Sequence, residues 1–256
     1  MRIAVLVKQV PDSWAEKRLG QDGRMVRDSI DLVLNELDEY ALEEALTLAE
    51  REAATVEVVA MGPDSAADAL RRALAMGADS AVWVNDAALS GADYLQTAKV
   101  LAAVVDQRGY DLVFAGVETT DSRGGVIPAM LATLLKWPQL TYASSVSLQS
   151  GRVEATRHTG SADLRLAAPL PAVISVVEKA NVPRYPNLKG VLAAKKKPLE
   201  VLSLADLPIA AAVMQAQVQV AGHSLLPQRA KGTALLGATA ENAKALVDFL
   251  RSKKVI

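Results

Sequence analysis

The sequence predicts an α/β protein with a Rossmann-like parallel sheet, a β-rich extension and a C-terminal arm that ends in a helix. Strand-like and helix-like segments alternate over residues 1–138, which is typical of a parallel sheet covered by helices. Strand-like segments then follow one another without an intervening helix, and residues 205–237 are weakly patterned. We therefore expect an α/β domain with its extension at 1–204 and an arm at 205–256.

The alternating part is defined by β-branched runs and by helical spacing of apolar residues. Its predicted strands cover residues 2–8, 55–61, 80–85 and 111–116. Its predicted helices cover residues 36–52, 62–77, 91–109 and 124–137. Pro63 begins the second helix, Gly77 and Gly109 end the second and third, and Pro138 stops the fourth. A long polar loop follows the first strand, with a small hairpin at the "QDG" turn, residues 21–23.

The second part of the chain is predicted to be mostly extended. Its strand-like segments cover residues 140–149, 151–158, 162–168 and 172–178. The first two flank "SGR", which is typical of a hairpin. A long, basic, proline-rich loop follows at 181–198, and a loop of this length is expected to be functional or disordered. Residues 238–254 have the apolar spacing of a closing helix.

Composition excludes several classes of function. A chain of 256 residues that is 51% hydrophobic can bury a proper core. Its formal net charge of −1 argues against a general nucleic-acid binder. The absence of cysteine excludes disulfides, thiolate metal sites and cysteine nucleophiles, and two distant histidines argue against a multi-histidine metal site. We expect no secretory signal, no membrane span and a cytoplasmic location.

Ligands of open α/β sheets bind beyond the carboxyl ends of the strands. The richest segment there is "GVETTDSRGGVIP", which follows the fourth predicted strand. It contains Thr119, Thr120, Asp121, Ser122, Arg123, Gly124 and Gly125. Glycines, hydroxyls, an arginine and a helix start suit a phosphate, although a Ser- or Asp-capped helix is nearly as good an interpretation. Neither GxGxxG nor a Walker loop is present.

Other polar residues have structural interpretations that are at least as good. "MGPDS" at 61–65 could bring amides to a nucleotide, but a Pro-started, Asp- or Ser-capped helix is favoured. Asn35 and Asp38 could hold a base or a ribose, although capping is commoner. Glu43 and Glu44 are interpreted as a solvated helix face, and His158 and His223 as incidental. No catalytic triad is found, so we expect a binding protein without catalytic residues.

Several motifs, taken together and in order, resemble the β-subunit of electron transfer flavoprotein over nearly the whole chain. They are "VLVKQVPDS", "NxxDExALEEA" at 35–45, "LRRALAMGAD" at 70–79, "ETTDSRGGVIPA" at 118–129, "LPAVISV" at 170–176, "PRYPNLKGVLAAKKKP" at 183–198 and "PQRAKG" at 227–232.

The resemblance implies a heterodimer with an α-subunit that holds most of a redox-active FAD, while this chain holds a structural AMP. Electrons would arrive from flavin-dependent dehydrogenases, as in fatty acid oxidation, and leave toward a quinone oxidoreductase or another acceptor. The C-terminal arm would contact the α-subunit. The implied AMP contacts are Leu6, Asn35, Glu36, Leu37, Asp38, Met61, Gly116, Thr119, Thr120, Asp121, Ser122, Arg123, Gly124, Gly125 and Val126.

The resemblance also implies a role for the loop at 181–198 as a recognition loop for dehydrogenases. Leu188 would be its apolar tip and would fill a pocket on the partner, flanked by Tyr185 and Lys189. A single buried apolar anchor can dominate a small interface. The alternative is that the loop packs on its own chain with Leu188 in the core. Lys195 to Lys197 could be a solvated patch or a subunit contact.

The sequence departs from the family pattern at His158, where a glutamate that contacts the partner's flavin domain is expected. The family also implies that Asp12, Ser13 and Trp14 face the flavin ring. Two alternatives stay open. In a bifurcating relative, the pocket of this chain would hold a second, redox-active FAD in place of AMP. A stand-alone adenine-nucleotide-binding stress-type protein would have a similar fold, but its usual phosphate loop or histidine pair is missing from the sequence.

Overall fold

The computed structural model of the protein describes residues 1–28, 30–209, 216–224, 226–227, 232 and 234–256. The chain divides into two units, Met1–Ala221 and Gly222–Ile256. Most of the "PQRAKG" motif at 227–232, and residues 210–215 of the predicted arm, lie outside the described residues.

Strands and helices were numbered along the chain. The strands are β1 (Arg2–Leu6), β2 (Gln9–Pro11), β3 (Leu32–Leu34), β4 (Thr55–Met61), β5 (Ser80–Val84), β6 (Leu112–Gly116), β7 (Gln139–Ala143), β8 (Ser145–Gln149), β9 (Arg152–His158), β10 (Asp163–Pro169), β11 (Ala172–Val176) and β12 (Leu199–Leu202). The helices are α1 (Glu36–Glu52), α2 (Ala66–Met76), α3 (Tyr94–Arg108), α4 (Ile127–Leu135), α5 (Leu188–Ala194) and α6 (Ala240–Ser252).

The first unit is built on a parallel sheet with the strand order β12-β5-β4-β1-β6-β11-β7. Apolar residues of α1 and α2 pack on one face of this sheet, and those of α3 and α4 pack on the other. The predicted α/β class is therefore confirmed. The amphipathic spacing at 36–52 predicted α1 correctly, because Ala41, Ala45 and Leu48 of this helix are buried.

The order of the strands creates a switch point between β1 and β6. From β1 the chain adds β4 and β5 in one direction, and it then returns to place β6 on the other side of β1. Consequently, the helices that follow these two neighbours, α1 and α4, lie on opposite faces of the sheet. A crevice opens beyond the carboxyl ends of such strands, and this is where ligands of open α/β sheets bind.

The β-rich segments divide between two sheets. Residues 140–149, predicted as one strand, form two: β7 joins the edge of the parallel sheet, and β8 pairs with β9 in an antiparallel sheet of order β10-β9-β8. β11 also enters the parallel sheet, so only β8 to β10 form a separate extension. The predicted hairpin at "SGR" is confirmed, with Ser150 and Gly151 both at positive φ, as a tight hairpin turn requires.

Several boundaries differ from the sequence predictions. α4 ends at Leu135 rather than at Trp137, because Lys136 takes a left-handed conformation with φ 58°. The small hairpin near "QDG" is confirmed by an antiparallel bridge between Leu19 and Met25. The strands β2 and β3, which pair across the base of this polar loop, were not predicted, because each has three residues.

The predicted loop at 181–198 contains a helix and leads directly into a strand of the sheet. α5 occupies Leu188–Ala194, and β12 pairs in parallel with β5 at the edge of the sheet. The proline content concealed both elements. No described helix has the length and hydrophobicity needed to span a bilayer.

The second unit contains α6. The hydroxyl of Thr239 caps this helix by accepting a hydrogen bond from the backbone N–H of Asn242 at 3.2 Å. The side chain of Asn242 donates to the carbonyls of Leu236 and Gly237, so the turn before the helix is held to its first residues.

Candidate functional site

The carboxyl ends of β1, β4 and β6 meet at one edge of the sheet. Leu6 ends β1, Met61 ends β4 and Gly116 ends β6, so three separate parts of the predicted nucleotide site come together here. The segment 116–126, called the nucleotide loop below, runs from β6 to the start of α4.

Asn35 holds the nucleotide loop and does not cap its helix. It occupies the N-cap position of α1 but makes no side-chain capping bond, so the favoured interpretation as a cap was wrong. Its Nδ2 donates to the carbonyl of Glu118 at 3.0 Å, and its Oδ1 accepts from the backbone N–H of Thr120 at 3.1 Å. One fully buried side chain thereby provides hydrogen-bond partners for two backbone groups of the loop that would otherwise lack them.

Asp38 joins the ends of β1 and β6. Its carboxylate accepts hydrogen bonds from the backbone N–H of Lys8 at 2.9 Å and of Gly116 at 3.2 Å. Burial raises the pKa of Asp38 to about 7, against these hydrogen bonds and the charge of Lys8, which favour the ionised form. Asp38 does not cap α1 with its side chain either. Instead, it links the segment that follows β1 to the last residue of β6.

Asp121 is the charged centre of the nucleotide loop. Its carboxylate is only 2% exposed and forms ion pairs with the ammonium group of Lys8, at 2.9 Å, and with the guanidinium of Arg27. Burial by itself would raise the pKa of Asp121, but the attraction of Lys8 and the hydrogen bonds from Lys8, Thr119 and Arg27 outweigh it and hold that pKa well below its usual range. The polar loop that carries Arg27 is thereby tied to the nucleotide loop.

Glycines let the backbone approach closely along the nucleotide loop. A Cβ at position 116 would lie 2.5 Å from the carboxylate of Asp38, and a Cβ at position 124 would overlap the hydroxyl of Tyr94. Gly125 has φ +62°, which favours glycine. Within the described residues, the backbone N–H groups of Gly124, Gly125 and Val126 have no acceptor.

The residues that carry these unpaired N–H donors directly precede the first residue of α4. Val126 is the N-cap residue and provides no side-chain cap, so the alternative of a Ser- or Asp-capped helix was wrong. The hydroxyl oxygen of Thr120 is buried without a hydrogen-bond partner, which is unusual for a polar atom. Free N–H groups at a helix start together with an unpaired hydroxyl fit a phosphate-bearing ligand.

The remaining predicted contacts lie around this centre. Thr119 and Ser122 join their hydroxyls at 2.8 Å, and Arg123 pairs with Glu118 at 3.3 Å on the exposed side of the loop. Ser65 of "MGPDS" lies at the start of α2 but makes no capping bond, which corrects the favoured interpretation of that segment.

Three residues that contact the nucleotide loop were not among the predicted site residues: Lys8, Arg27 and Tyr94. Only Lys8, directly after a buried strand, had a position that could have revealed it. The described residues include no cluster of acidic and histidine side chains that could hold a metal ion.

A second candidate site lies at 181–198, called the recognition segment below. Leu188 is the first residue of α5 and is 76% exposed, so the alternative that placed it in the core was wrong, as was its description as the tip of a loop. Tyr185 is also exposed, and its ring lies under the guanidinium of Arg72 at 5.0 Å. Lys189 is exposed beside them on α5.

Two glutamates of α1 hold the base of the recognition segment. Arg184 donates to Glu43 through its backbone N–H and its guanidinium, and it also pairs with Glu50 at 2.6 Å. Glu44 accepts from the side chain of Asn181 at 2.9 Å. The interpretation of Glu43 and Glu44 as a solvated face was therefore wrong, because both side chains bind this segment.

The far end of the recognition segment is tied to α2. The ammonium group of Lys197 donates to the carbonyls of Leu74, Gly77 and Ala78, which lie at and just beyond the end of that helix. Lys197 therefore belongs neither to a solvated patch nor to a free contact surface, unlike Lys195 and Lys196, which are exposed.

Three further predicted positions, Ser13, Trp14 and His158, are exposed. His158 ends β9, and its Nδ1 lies 2.5 Å from the carboxylate of Asp163 on β10. Trp14 is almost fully exposed, while Ser13 donates to Glu36 at 2.7 Å. The exposure of these side chains does not test a contact with flavin, so the proposed roles of His158, Ser13 and Trp14 stay predictions.

Comparisons with known proteins agree with this architecture. The electron transfer flavoprotein domain family matches residues 22–207. The electron transfer flavoprotein subunit beta of Mycobacterium bovis is 41% identical, and the match covers 99% of each chain. The subunit of the same name from Bacillus subtilis is 34% identical over the full length of both chains. The caffeyl-CoA reductase-Etf complex subunit CarD of Acetobacterium woodii is 32% identical, again over both full lengths.

These matches include the nucleotide loop and the recognition segment, and they confirm the resemblance that the motifs indicated. The chain therefore belongs to the electron transfer flavoprotein beta-subunit family.

Proposed function

We propose that this chain binds a structural AMP and forms a heterodimer with a FAD-bearing α-subunit, as an electron carrier without catalytic activity of its own. The observation that carries the proposal is the nucleotide loop, with its unpaired backbone donors at the start of α4 and the partnerless hydroxyl of Thr120. A buried hydroxyl group rarely lacks a hydrogen-bond partner, and free N–H groups at the start of a helix form a favourable site for a phosphate.

The AMP would lie at the switch point between β1 and β6. The phosphate would be bound at Gly124, Gly125 and Val126, where N–H groups are available. Leu6 and Met61 at the strand ends would border the rest of the nucleotide. The side chains of Asn35 and Asp38 already form hydrogen bonds with backbone groups of the chain. They would therefore shape the site, and residues 35–38 would contact AMP through their backbone atoms.

The FAD would be held mainly by the α-subunit, and when bound it supplies the group that accepts and passes on electrons. Flavin-dependent dehydrogenases, with those of fatty acid oxidation as the first candidates, would dock on the recognition segment and donate electrons. A quinone oxidoreductase or another acceptor would receive them. The arm at 205–256 would contact the α-subunit, and we place the complex in the cytoplasm.

Counting nucleotides in the purified complex tests this proposal. The chain would be co-expressed with its α-subunit, and the nucleotides would be released with acid and quantified per heterodimer. We expect one AMP and one FAD. A Gly124→Val variant, whose side chain would meet Tyr94, should lose AMP and keep FAD. If the variant kept both AMP and FAD, the proposed placement of AMP would be contradicted.

A bifurcating protein, with a second FAD in the same pocket, is the second candidate. A relative named as part of a caffeyl-CoA reductase-Etf complex matches the whole chain at 32% identity, which favours keeping this possibility. Two FAD and no AMP per heterodimer would establish it. The stand-alone nucleotide-binding protein is disfavoured by full-length relatives that are named as subunits.

A further inference from the structure

Tyr142 has a backbone conformation that an aromatic residue rarely adopts. It lies inside strand β7 with φ 60°, in the left-handed region that favours glycine. The other described non-glycine residues with positive φ end a helix or form part of a turn. Strain of this kind persists only where the surrounding structure imposes it, and it is concentrated at functional sites. The side chain of Tyr142 is therefore a candidate for a function beyond packing.

A bulge in β7 imposes this conformation. Between two successive pairs with β11, β7 has two residues, Thr141 and Tyr142, where β11 has only Ser175. The buried hydroxyl of Ser175 accepts a hydrogen bond from the backbone N–H of Tyr142 at 2.9 Å. In a regular strand, Leu140 and Tyr142 would share one face, since alternate residues point the same way. Because of the bulge, Leu140 is buried while Tyr142 is 48% exposed.

Arg157 of β9 holds the ring of Tyr142. Its Nε donates to the carbonyl of Thr141 at 2.6 Å, and its guanidinium also donates to the hydroxyl of the same threonine at 2.6 Å. The guanidinium fixed in this way lies 6.0 Å from the centre of the Tyr142 ring, at the distance of a cation–π contact. The orientation of the ring is therefore set by contacts within the chain.

The hydroxyl of Tyr142 lies beside the free backbone donors of the nucleotide loop. A Cβ on Gly125 would be 3.4 Å from this hydroxyl oxygen. In the part of the chain that the structure describes, the N–H of Gly125 has no acceptor and the hydroxyl of Tyr142 forms no hydrogen bond. Tyr94 differs, because its hydroxyl faces Gly124 and donates to the carbonyl of Ser122 at 3.5 Å. Tyr142 thus adds a free side-chain donor to the free backbone donors at the start of α4.

From this geometry we propose that Tyr142 is a phosphate-contacting residue of the nucleotide site. Its hydroxyl donates to an oxygen of the phosphate that binds the N–H groups of Gly124, Gly125 and Val126. A phosphate oxygen is a charged acceptor, and hydrogen bonds to charged acceptors are stronger than those between neutral groups. This inference rests on the proposed function and adds to it a contact from β7, outside the segments in which the AMP contacts were predicted.

A phosphate contact accounts for the strained backbone. The strand order places β11 between β7 and β6, so a side chain of the edge strand must be directed toward the loop that follows β6. Bulges commonly redirect a side chain in this way next to binding sites. Because Ser175 and Arg157 already hold Tyr142, little conformational freedom is lost when the ligand binds.

Binding of AMP and of adenosine to the complete heterodimer tests the proposal. The complex, with FAD bound and the nucleotide of this chain removed, would be titrated by equilibrium dialysis with radiolabelled AMP and, separately, with radiolabelled adenosine. Tyr142→Phe keeps the ring over which Arg157 lies but lacks the hydroxyl. We expect this variant to bind AMP about tenfold more weakly, as the loss of one hydrogen bond to a charged group predicts. Its affinity for adenosine, which has no phosphate, should equal that of the wild type.

Two further variants complete the test. Tyr40→Phe is the matched control, because Tyr40 packs on the face of the sheet opposite α4 and its hydroxyl also forms no hydrogen bond with a described residue. It should leave both affinities unchanged. Ser175→Ala removes the acceptor of the Tyr142 N–H and leaves the ring in place. It should weaken the binding of AMP by a smaller factor, again without an effect on adenosine.

The other outcomes would overturn the proposal. Wild-type affinity for AMP in Tyr142→Phe, or an equal loss in Tyr40→Phe, would show that the hydroxyl of Tyr142 does not contact the phosphate. Equal losses of AMP and adenosine in Tyr142→Phe would give this residue a purely structural role. If the wild-type complex bound AMP and Tyr142→Phe matched it, only this inference would fail. A wild-type complex that bound no AMP would instead contradict the proposed function.

Discussion

The ammonium group of Lys8 lies 2.9 Å from the carboxylate of Asp121, across 113 residues of sequence. Lys8 follows the central strand β1, and Asp121 lies in the loop after its neighbour β6. This ion pair, supported by Arg27, connects the polar loop, the first strand and the nucleotide loop. It is the point at which charge, rather than apolar packing, holds the candidate site together.

Replacement of Asp121 by Asn should lower the free energy of unfolding at pH 7 by about 1–3 kcal/mol, because two charged hydrogen-bond partners lose their carboxylate. The pKa of Asp121 is lowered in the folded state, so its contribution is present above about pH 4 and is lost as the pH falls below that value. Urea unfolding between pH 3 and pH 7 would measure both effects. Asp22→Asn, which removes an exposed ion pair with Arg24, is the matched control and should change little. Equal curves for Asp121→Asn and wild type would contradict this prediction.

Asp38 should give the opposite dependence on pH. Its pKa is raised to about 7 in the folded state, so protonation favours folding, and the stabilisation present below about pH 4 is lost as the pH rises through 7. Relative to Asp38→Asn, the wild type should lose up to about 4 kcal/mol across this interval. Chemical denaturation of both proteins from pH 4 to pH 8 checks the prediction. Parallel stability curves would show that the carboxyl group of Asp38 titrates normally.

Leu188→Ala should weaken the coupling to dehydrogenases and leave the protein equally stable. The side chain is exposed before docking, so its removal should change the free energy of unfolding by less than about 0.5 kcal/mol. Burying a leucine in a partner is worth about 1.5–3 kcal/mol, which corresponds to at least tenfold in the apparent affinity for the dehydrogenase. Electron-transfer kinetics and the AMP content would be measured together, with the exposed Leu164 of β10 changed to Ala as the control. Unaltered electron-transfer kinetics would show that Leu188 takes no part in docking and that α5 has a purely structural role.

Gly190→Ala should disturb the recognition segment locally. The added methyl group meets the carbonyl of Ala75, so α5 must move away from α2 or strain it, at a cost of about 1–3 kcal/mol. Gly160→Ala, where a Cβ would meet no atom within 4 Å, should be nearly neutral. Hydrogen exchange of residues 186–197 would show the loosening in the first variant only. Full protection there would mean that the helices adjust without cost.

Asp93 should hold both the start of α3 and residues 217–218 of the arm. Its Oδ1 caps the helix through the N–H of Gln96 at 2.8 Å, and its Oδ2 accepts from the N–H groups of Gln217 and Val218. Asp93→Ser retains a capping oxygen but lacks the second carboxylate oxygen, so stability should change by less than about 1 kcal/mol. The N–H groups of Gln217 and Val218 should nevertheless exchange faster with solvent in this variant. Exchange at the wild-type rate would show that Asp93 does not anchor residues 217–218.

Local patterns in the sequence determined most of the elements and the family. The helix at 36–52 and the strand at 55–61 were predicted at their observed bounds, because amphipathic spacing and β-branched runs act over neighbouring residues. Gly77 and Gly109 end their helices as predicted, with positive φ at both positions. The glycines and hydroxyls of the nucleotide loop likewise predicted phosphate binding, which stays a prediction.

Only the tertiary structure decided what those residues contact. Four side chains resembled helix caps or solvated groups in the sequence: Asn35, Glu43, Glu44 and Lys197. In the structure, each forms hydrogen bonds with a segment that lies between 83 and 141 residues away in the chain. The bonds of Lys197 close the end of another helix. Their partners are set by the strand order, which brings β6 beside β1 and β12 beside β5. Hydrogen bonds of buried polar groups must be satisfied in the folded chain, and no local pattern specifies which distant backbone atom satisfies them. The same long-range packing on α2 fixes α5 in a segment whose prolines predicted a loop, and so it decides that Leu188 faces solvent.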